Sequence, residues 1–188
     1  MSHHQTFPLA LAKGIRMLIL DIDGVLTAGQ IFITDTGDQI KAFNVRDGHG
    51  IKLLQRAGIE VAILTGRSSQ VVAHRAKELG IQYVIQGSLR KADGIDALCA
   101  QAGIAANDCA YMGDDVIDLP AMAKCKFSMA PKDAYVGVRK KVDWVSSFHA
   151  GDGAVRQACE GLILAAGVWD DVIASAYGVS AQDCGWET

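Results

Sequence analysis

Short, unbroken apolar runs alternate with amphipathic stretches along most of this chain, and that rhythm constrains the fold more than any other feature. Residues 16–20 (RMLIL), 60–64 (EVAIL), 83–85, 109–112, 126–129 and 142–145 read as buried strands. Helical patterns cover 50–57, 69–79, 91–102, a short stretch around 119–124, then 153–166 and 168–177. Strands that are apolar on both faces and separated by helices predict a parallel sheet covered on each side. The expected fold class is therefore α/β, a doubly wound, Rossmann-like parallel sheet, with Gly58, Gly80 and Gly103 as left-handed helix ends. A chain of 188 residues suits one domain, with a core over about 14–166 and a helical tail at 167–188.

One stretch departs from the rhythm. Residues 30–34 and 39–44 are β-prone and flank Asp35-Thr36-Gly37-Asp38, which has hairpin chemistry. A β-hairpin inserted straight after strand 1 sits over the carboxyl ends of the strands, where such sheets bind ligands.

Composition narrows the function classes. Half the residues are hydrophobic and 21 % are charged, enough for a packed core. Eighteen basic against 21 acidic residues give a net charge of −3, which offers no overall attraction to nucleic acid or an anionic membrane. No apolar run approaches the roughly 20 residues of a membrane span, and residues 1–13 lack the order of a signal peptide. A cytoplasmic protein is expected. The five cysteines (Cys99, Cys109, Cys125, Cys159, Cys184) are scattered and never spaced as CxxC, so reduced core thiols are expected rather than zinc ligands or disulfides. His3 and His4 read as a flexible terminus, His74 as a helix-surface residue, and His49 as a neighbour of the NVRDG segment; Met112, Met122 and Met129 read as core.

The chemistry-bearing residues fall at four strand ends. In LILDIDGVLT, Asp21 closes an apolar run, Asp23 follows one residue later, and Gly24 lets the chain turn. An isolated DxDG is equally well explained as a turn. In LTGR, the Thr65 hydroxyl and the N–H groups around Gly66 suit an anion cradle. Lys91 opens the helix after 83–85, where a lone lysine is ordinarily solvated. In GDDVID, Asp114, Asp115 and Asp118 crowd one strand end, which is costly without a cation; helix capping explains only one of them.

Taken in order, DxDGVxT, TGR, Lys and GDDxxD resemble the haloacid dehalogenase-like superfamily of aspartyl-phosphatases, in its capless form. KAFNVRDGHG (41–50), LTGR and YMGDDVIDLP extend the resemblance, over 16–166, to the family of 3-deoxy-D-manno-octulosonate 8-phosphate phosphatases, which serve lipopolysaccharide biosynthesis. The resemblance implies a Mg²⁺-dependent hydrolase of a small sugar acid phosphate. In it, Asp21 is the nucleophile and Asp23 the general acid–base, while Thr65, Gly66 and Lys91 hold the phosphoryl oxygens. It implies Mg²⁺ on Asp21, the Asp23 carbonyl and Asp114, with Asp115 and Asp118 in support. Substrate contacts carry over to Asp23, Asn44, Val45, Arg46, Asp47, Gly48, Lys52, Gly66, Arg67, Arg75 and Lys91. Eight residues part Arg67 from Arg75, roughly 12 Å along a helix, which suits separate ends of an extended sugar acid.

The family also implies a homotetramer whose hairpins form a central barrel, with Arg46 or the C-terminal tail completing a neighbour's site. Two positions depart from the family pattern: Ala150-Gly151-Asp152-Gly153 stands where Gly-Gly-Arg-Gly is common, and Lys52 where arginine also occurs. The tail, 169–188, is also longer and more aromatic than the family leads one to expect. Three other readings remain open at this level. They are a phosphatase for another 2-keto-3-deoxy sugar acid phosphate such as a nonulosonate 9-phosphate, a phospho-accepting receiver domain, and a catalytically silent binding module. A receiver would carry a lone Asp where this chain has Gln86-Gly87-Ser88.

Overall fold

A computed structural model describes residues 6–186. In chain order it contains α1 (Leu9–Ala12), β1 (Met17–Leu20), β2 (Phe32–Ile33), β3 (Gln39–Ile40), α2 (Val45–Arg56), β4 (Glu60–Leu64), α3 (Gln70–Leu79) and β5 (Tyr83–Ile85). It continues through α4 (Lys91–Ala102), β6 (Cys109–Met112), α5 (Leu119–Met122), β7 (Phe127–Ala130), α6 (Val136–Arg139), β8 (Trp144–Val145), α7 (Ala154–Ala166) and α8 (Ser175–Tyr177).

All four residues of β1 are buried, as a continuous apolar strand requires when neighbours flank it and helices cover both faces. β4 and β6 pair with it in parallel, placing Leu20 beside Ile63 and Met112. The six parallel strands follow the order β5-β4-β1-β6-β7-β8, so the winding reverses beside β1. Alternate β1 side chains face opposite layers. Leu18 and Leu20 join Ile51 and Leu54 of α2, Val72 of α3 and Leu162 of α7. Met17 and Ile19 join Ile95 and Leu98 of α4 and Met122 of α5. Each such side chain withdrawn from water contributes about 1.5–3 kcal/mol before ordering costs.

The helix expected from residue 50 begins at Val45, because Asn44 caps it: its Oδ1 accepts from Arg46 N at 2.8 Å. The glycines that hide this first turn from a propensity reading are packing residues. A Cβ on Gly50 would stand 3.0 Å from Arg156 Cα, and one on Gly48 would stand 2.3 Å from Arg75 Nη2. The last strand is shorter than 142–145, and the segment expected as one helix over 168–177 splits into a π-helical turn (Asp170–Ala174) and α8. Trp169, Val172, Ile173 and Ala181 of this tail pack into the Leu18 core.

β2 and β3 pair antiparallel, Phe32 opposite Ile40, and form a sheet of their own. Each is two residues long, less than the runs at 30–34 and 39–44. All five cysteines are free thiols. Burial raises the thiol pKa values of Cys99, Cys109, Cys159 and Cys184 and pushes Cys125 up to about 12. Met112, Met122 and Met129 are buried. His3 and His4 lie outside the described residues. No helix among the described residues is long and apolar enough to cross a membrane.

Candidate active site

Three strand ends and one helix start converge beside β1. Asp21 follows β1 directly, its N–H donating to Met112 O, and its Oδ1 accepts from Ile22 N at 2.7 Å. Gly24 then adopts φ +90°, a left-handed turn that glycine favours. Its missing side chain also makes space: a Cβ there would fall 2.1 Å from Asp114 Oδ2. Thr65, buried after β4, donates its N–H to Ile85 O and accepts from Ser88 N. Lys91 opens α4, whose first turn can approach β4 because residue 94 is glycine; a Cβ there would meet Leu64 Cδ1 at 2.4 Å.

Lys91 is buried between two carboxylates, 2.7 Å from Asp21 Oδ2 and 2.5 Å from Asp118 Oδ1. Burial pulls its ammonium down, but Asp21 and Asp118 together overrule that and hold its pKa above the ordinary lysine value. Asp118, also buried, has both oxygens taken. Oδ1 accepts from Lys91 and from Tyr111 Oη (2.7 Å), and Oδ2 from the N–H groups of Asp114 (3.0 Å) and Asp115 (3.1 Å). Gly113 permits this wrap, since a Cβ there would touch Asp118 Cγ at 2.4 Å. Asp118 is thus the post around which the loop after β6 is tied. Asp115 is exposed and caps Val116 N at 2.7 Å.

One carboxylate oxygen each from Asp21, Asp114 and Asp118 lies within 4.8 Å of the others. Asp118 already accepts four donors, whereas Asp21 accepts one on each oxygen, so Asp21 and Asp114 are the carboxylates with lone pairs left to hold a cation. Burial, then Asp118 and Asp21, push the Asp114 carboxyl up to about 7, and burial outweighs Lys91 to raise Asp21 as well. An all-oxygen donor set with this excess of buried negative charge fits a hard divalent cation such as Mg²⁺.

The remaining residues singled out from sequence divide into near and far groups. Asp23 is ion-paired with Lys41, and Arg67 Nε stands 3.9 Å from Asp23 Oδ2. Asn44 Nδ2 donates to Gly151 O (3.2 Å) and reaches Asp152 Oδ1 (3.4 Å), so the acidic residue at 152 ties the loop before α7 to the start of α2. Val45 is exposed.

Asp47 is fully buried; its carboxylate accepts from Gly153 N and Arg156 N, and burial raises its pKa. Within this chain it serves the start of α7 rather than a ligand. Lys52 Nζ lies beside Gly80, 3.2 Å from where a Cβ would stand, at the end of α3 remote from the carboxyl edge. Arg75 pairs with Glu78 at 2.9 Å and lies over the Phe43 ring, bracing the entry to α2. Lys52 therefore lies away from the strand ends within this chain, because α2 runs away from them, whereas Arg75 reaches back to the start of α2, its Nη2 donating to Asn44 O at 3.5 Å.

Arg46 lines a separate groove of about 810 Å³ with Asp152, Arg156, Glu160 and Trp186. His49 contacts Tyr177 Oη (3.2 Å) and Arg156 (3.1 Å) rather than the carboxylate cluster. Sequence reasoning passed over Lys41 and Tyr111. The available signals were a cation directly after the apolar Ile40 of a hairpin and a tyrosine inside an apolar strand.

Residues 49–126 match the family model of haloacid dehalogenase-like hydrolases. The 3-deoxy-D-manno-octulosonate 8-phosphate phosphatase of Escherichia coli K12 is 44 % identical over 163 residues, 87 % of either chain. The Haemophilus influenzae enzyme of that name is 44 % identical over 155 residues, 82 % of this chain and 86 % of its own. A crystal structure of the Moraxella catarrhalis phosphatase, in complex with a magnesium ion, a phosphate ion and a KDO molecule, matches with TM-score 0.86 at 39 % identity. That match covers 89 % of this chain and 97 % of the other. The cobalt-bound Haemophilus influenzae structure matches with TM-score 0.82 at 44 % identity over 85 % and 95 % of the two chains.

Proposed function

We infer the reaction from one premise: the chain belongs to the haloacid dehalogenase-like hydrolases, within the family of 3-deoxy-D-manno-octulosonate 8-phosphate phosphatases. It is a Mg²⁺-dependent phosphoric monoester hydrolase that converts 3-deoxy-D-manno-octulosonate 8-phosphate to the free sugar acid and phosphate, in lipopolysaccharide biosynthesis. The observation that carries this reading is the cluster of buried Asp21, Asp118 and Lys91 with half-buried Asp114 at the switch point of the sheet.

In the mechanism this supports, an Asp21 oxygen attacks phosphorus and becomes a phosphoaspartate, so one difficult displacement becomes two. Lys91, locked between Asp21 and Asp118, faces the negative charge that spreads over the transferring phosphoryl oxygens, and the backbone after Thr65 supplies N–H donors there. Asp23 protonates the departing sugar oxygen and then takes a proton from the attacking water. Asp21, Asp114 and the Asp23 carbonyl would hold Mg²⁺, which supplies charge neutralisation at the phosphate. Arg67, beside Asp23, is the cation best placed to meet the sugar acid at the mouth.

The assembly belongs to the same reading. Phe32, Ile33 and Ile40 are each more than half exposed on a hairpin that pairs with no other strand among the described residues. Such edges favour pairing with other copies, which supports a homotetramer with the hairpins at its centre. Free thiols throughout support a cytoplasmic setting. The catalytic unit is about 14–166, followed by the tail at 167–188, whose Trp169, Val172, Ile173 and Ala181 pack against it. The deciding experiment is phosphate release with Mg²⁺ from a panel of sugar acid phosphates. The 8-phosphate of 3-deoxy-D-manno-octulosonate should give the highest kcat/KM, and preference for a nonulosonate 9-phosphate would overturn the substrate assignment.

A further inference from the structure

We propose that Lys41 is a positioning residue for the acid–base carboxylate: it holds Oδ1 of Asp23, leaving Oδ2 as the oxygen that exchanges the proton with the sugar oxygen and with water. This rests on the reading above, in which Asp23 is the general acid–base.

The Lys41 side chain is 0 % exposed, and its only ion pair among the described residues is to Asp23 Oδ1. A lysine is almost never fully buried unless its charge is matched. Lys41 directly follows β3, so this contact ties the hairpin to the loop after β1. The two oxygens of Asp23 are unequal. Oδ2 is buried without a hydrogen-bond partner, and the Arg67 Nε at 3.9 Å is beyond hydrogen-bond range. A buried carboxylate oxygen left unpaired is costly and persists where a substrate or water supplies the partner. The backbone on either side is already set by the bridge between Asp23 and Thr27 and by the left-handed Gly24. What remains to be chosen is the rotation of the carboxyl group, and Lys41 chooses it.

The proton then has one route. As the Asp21 oxygen bonds to phosphorus, the P–O bond to the sugar breaks. The bonding pair stays on the sugar oxygen, and the proton passes to it from Asp23 Oδ2. In the second displacement a water oxygen bonds to phosphorus, its proton returns to Oδ2, and Asp21 leaves as a carboxylate. Without Lys41 the carboxyl rotates freely, and the proton is often on the wrong side of the leaving oxygen.

The test compares leaving groups. A sugar alkoxide needs the proton, whereas p-nitrophenolate departs without it. Lys41→Met, Lys41→Arg and Asp23→Asn, as full chains with Mg²⁺, are assayed by pre-steady-state release of the leaving group. The substrates are 3-deoxy-D-manno-octulosonate 8-phosphate and p-nitrophenyl phosphate. Lys41→Met should slow the sugar phosphate about 10- to 100-fold, within the worth of a positioned general acid, and p-nitrophenyl phosphate by less than about threefold. Lys41→Arg, which keeps the charge but moves the donor, should show a smaller loss of the same selectivity, and it stands as the test if Lys41→Met does not fold. Losses that are equal on both substrates, or absent, while Asp23→Asn is selective would overturn the role of Lys41. An unselective Asp23→Asn would instead overturn Asp23 as the acid–base.

Discussion

Replacing Asp118 by asparagine tests whether the loop after β6 is organised by this carboxylate. Its two oxygens accept four donors: Lys91 Nζ, Tyr111 Oη and the N–H groups of Asp114 and Asp115. Asparagine keeps one acceptor oxygen and puts an NH₂ group in place of the other. With its NH₂ turned to the loop, both N–H groups face a donor; turned the other way, the Tyr111 hydroxyl can accept from it, but the donor-only Lys91 faces a donor. At least one hydrogen bond to a charged acceptor is lost, worth about 1.5–3 kcal/mol, so Asp118→Asn should cost at least about 1.5–3 kcal/mol. That is a sizeable share of the roughly 5–15 kcal/mol that stabilises an ordinary domain. At about 2–4 °C per kcal/mol for a chain of this length, the midpoint of thermal unfolding in EDTA should fall by at least about 3 °C.

Asp115→Asn is the control. Its side chain is exposed and caps Val116 N, a task asparagine performs nearly as well, so its cost should stay below about 1 kcal/mol. Urea unfolding without metal measures both. An Asp118→Asn protein within about 1 kcal/mol of Asp115→Asn would refute the tethering role.

Asp21→Asn should abolish turnover yet leave the unfolding midpoint in EDTA unchanged or higher, because burial already disfavours the Asp21 charge and Lys91 keeps Asp118; near-normal activity would rule out a covalent intermediate on Asp21. Asp114 is pushed up to about 7 from its ordinary 3.8, so the native state binds this proton more tightly than the unfolded chain. Metal-free stability should therefore fall as pH rises from about 4 to about 7, and the Mg²⁺-induced rise in unfolding midpoint should be larger at pH 8 than at pH 6, since the ion needs the carboxylate. Equal Mg²⁺ shifts at the two pH values would contradict this. Lys52→Met should leave kcat and KM within about twofold, because the ammonium sits beside Gly80 away from the strand ends; a large rise in KM would return Lys52 to the substrate.

The strand–helix alternation and the four strand-end motifs were legible in the sequence because both arise from short-range rules. An apolar run of four or five residues has to be covered on both faces, and a residue just past such a strand has to emerge at its carboxyl edge. Asp21, Lys91 and Asp114 therefore came together as their order along the chain implied, with Thr65 just past the neighbouring strand β4. What the tertiary structure alone decided concerns residues whose partners lie far away in sequence. Asp47 sits in the same NVRDG segment as Arg46, yet it is buried against the start of α7, 106 residues from its Gly153 partner. Lys52 lies on a helix that turns away from the edge, and Arg75 reaches from α3 to the start of α2, where Asn44 O accepts from it. Lys41, in a hairpin that reads as surface, meets Asp23 across 18 residues and is fully buried. Periodicity tells which face of an element is apolar. Which distant charge a buried polar group will meet depends on how the elements dock, and the cost of leaving it unpaired selects that partner only once the fold has brought them together.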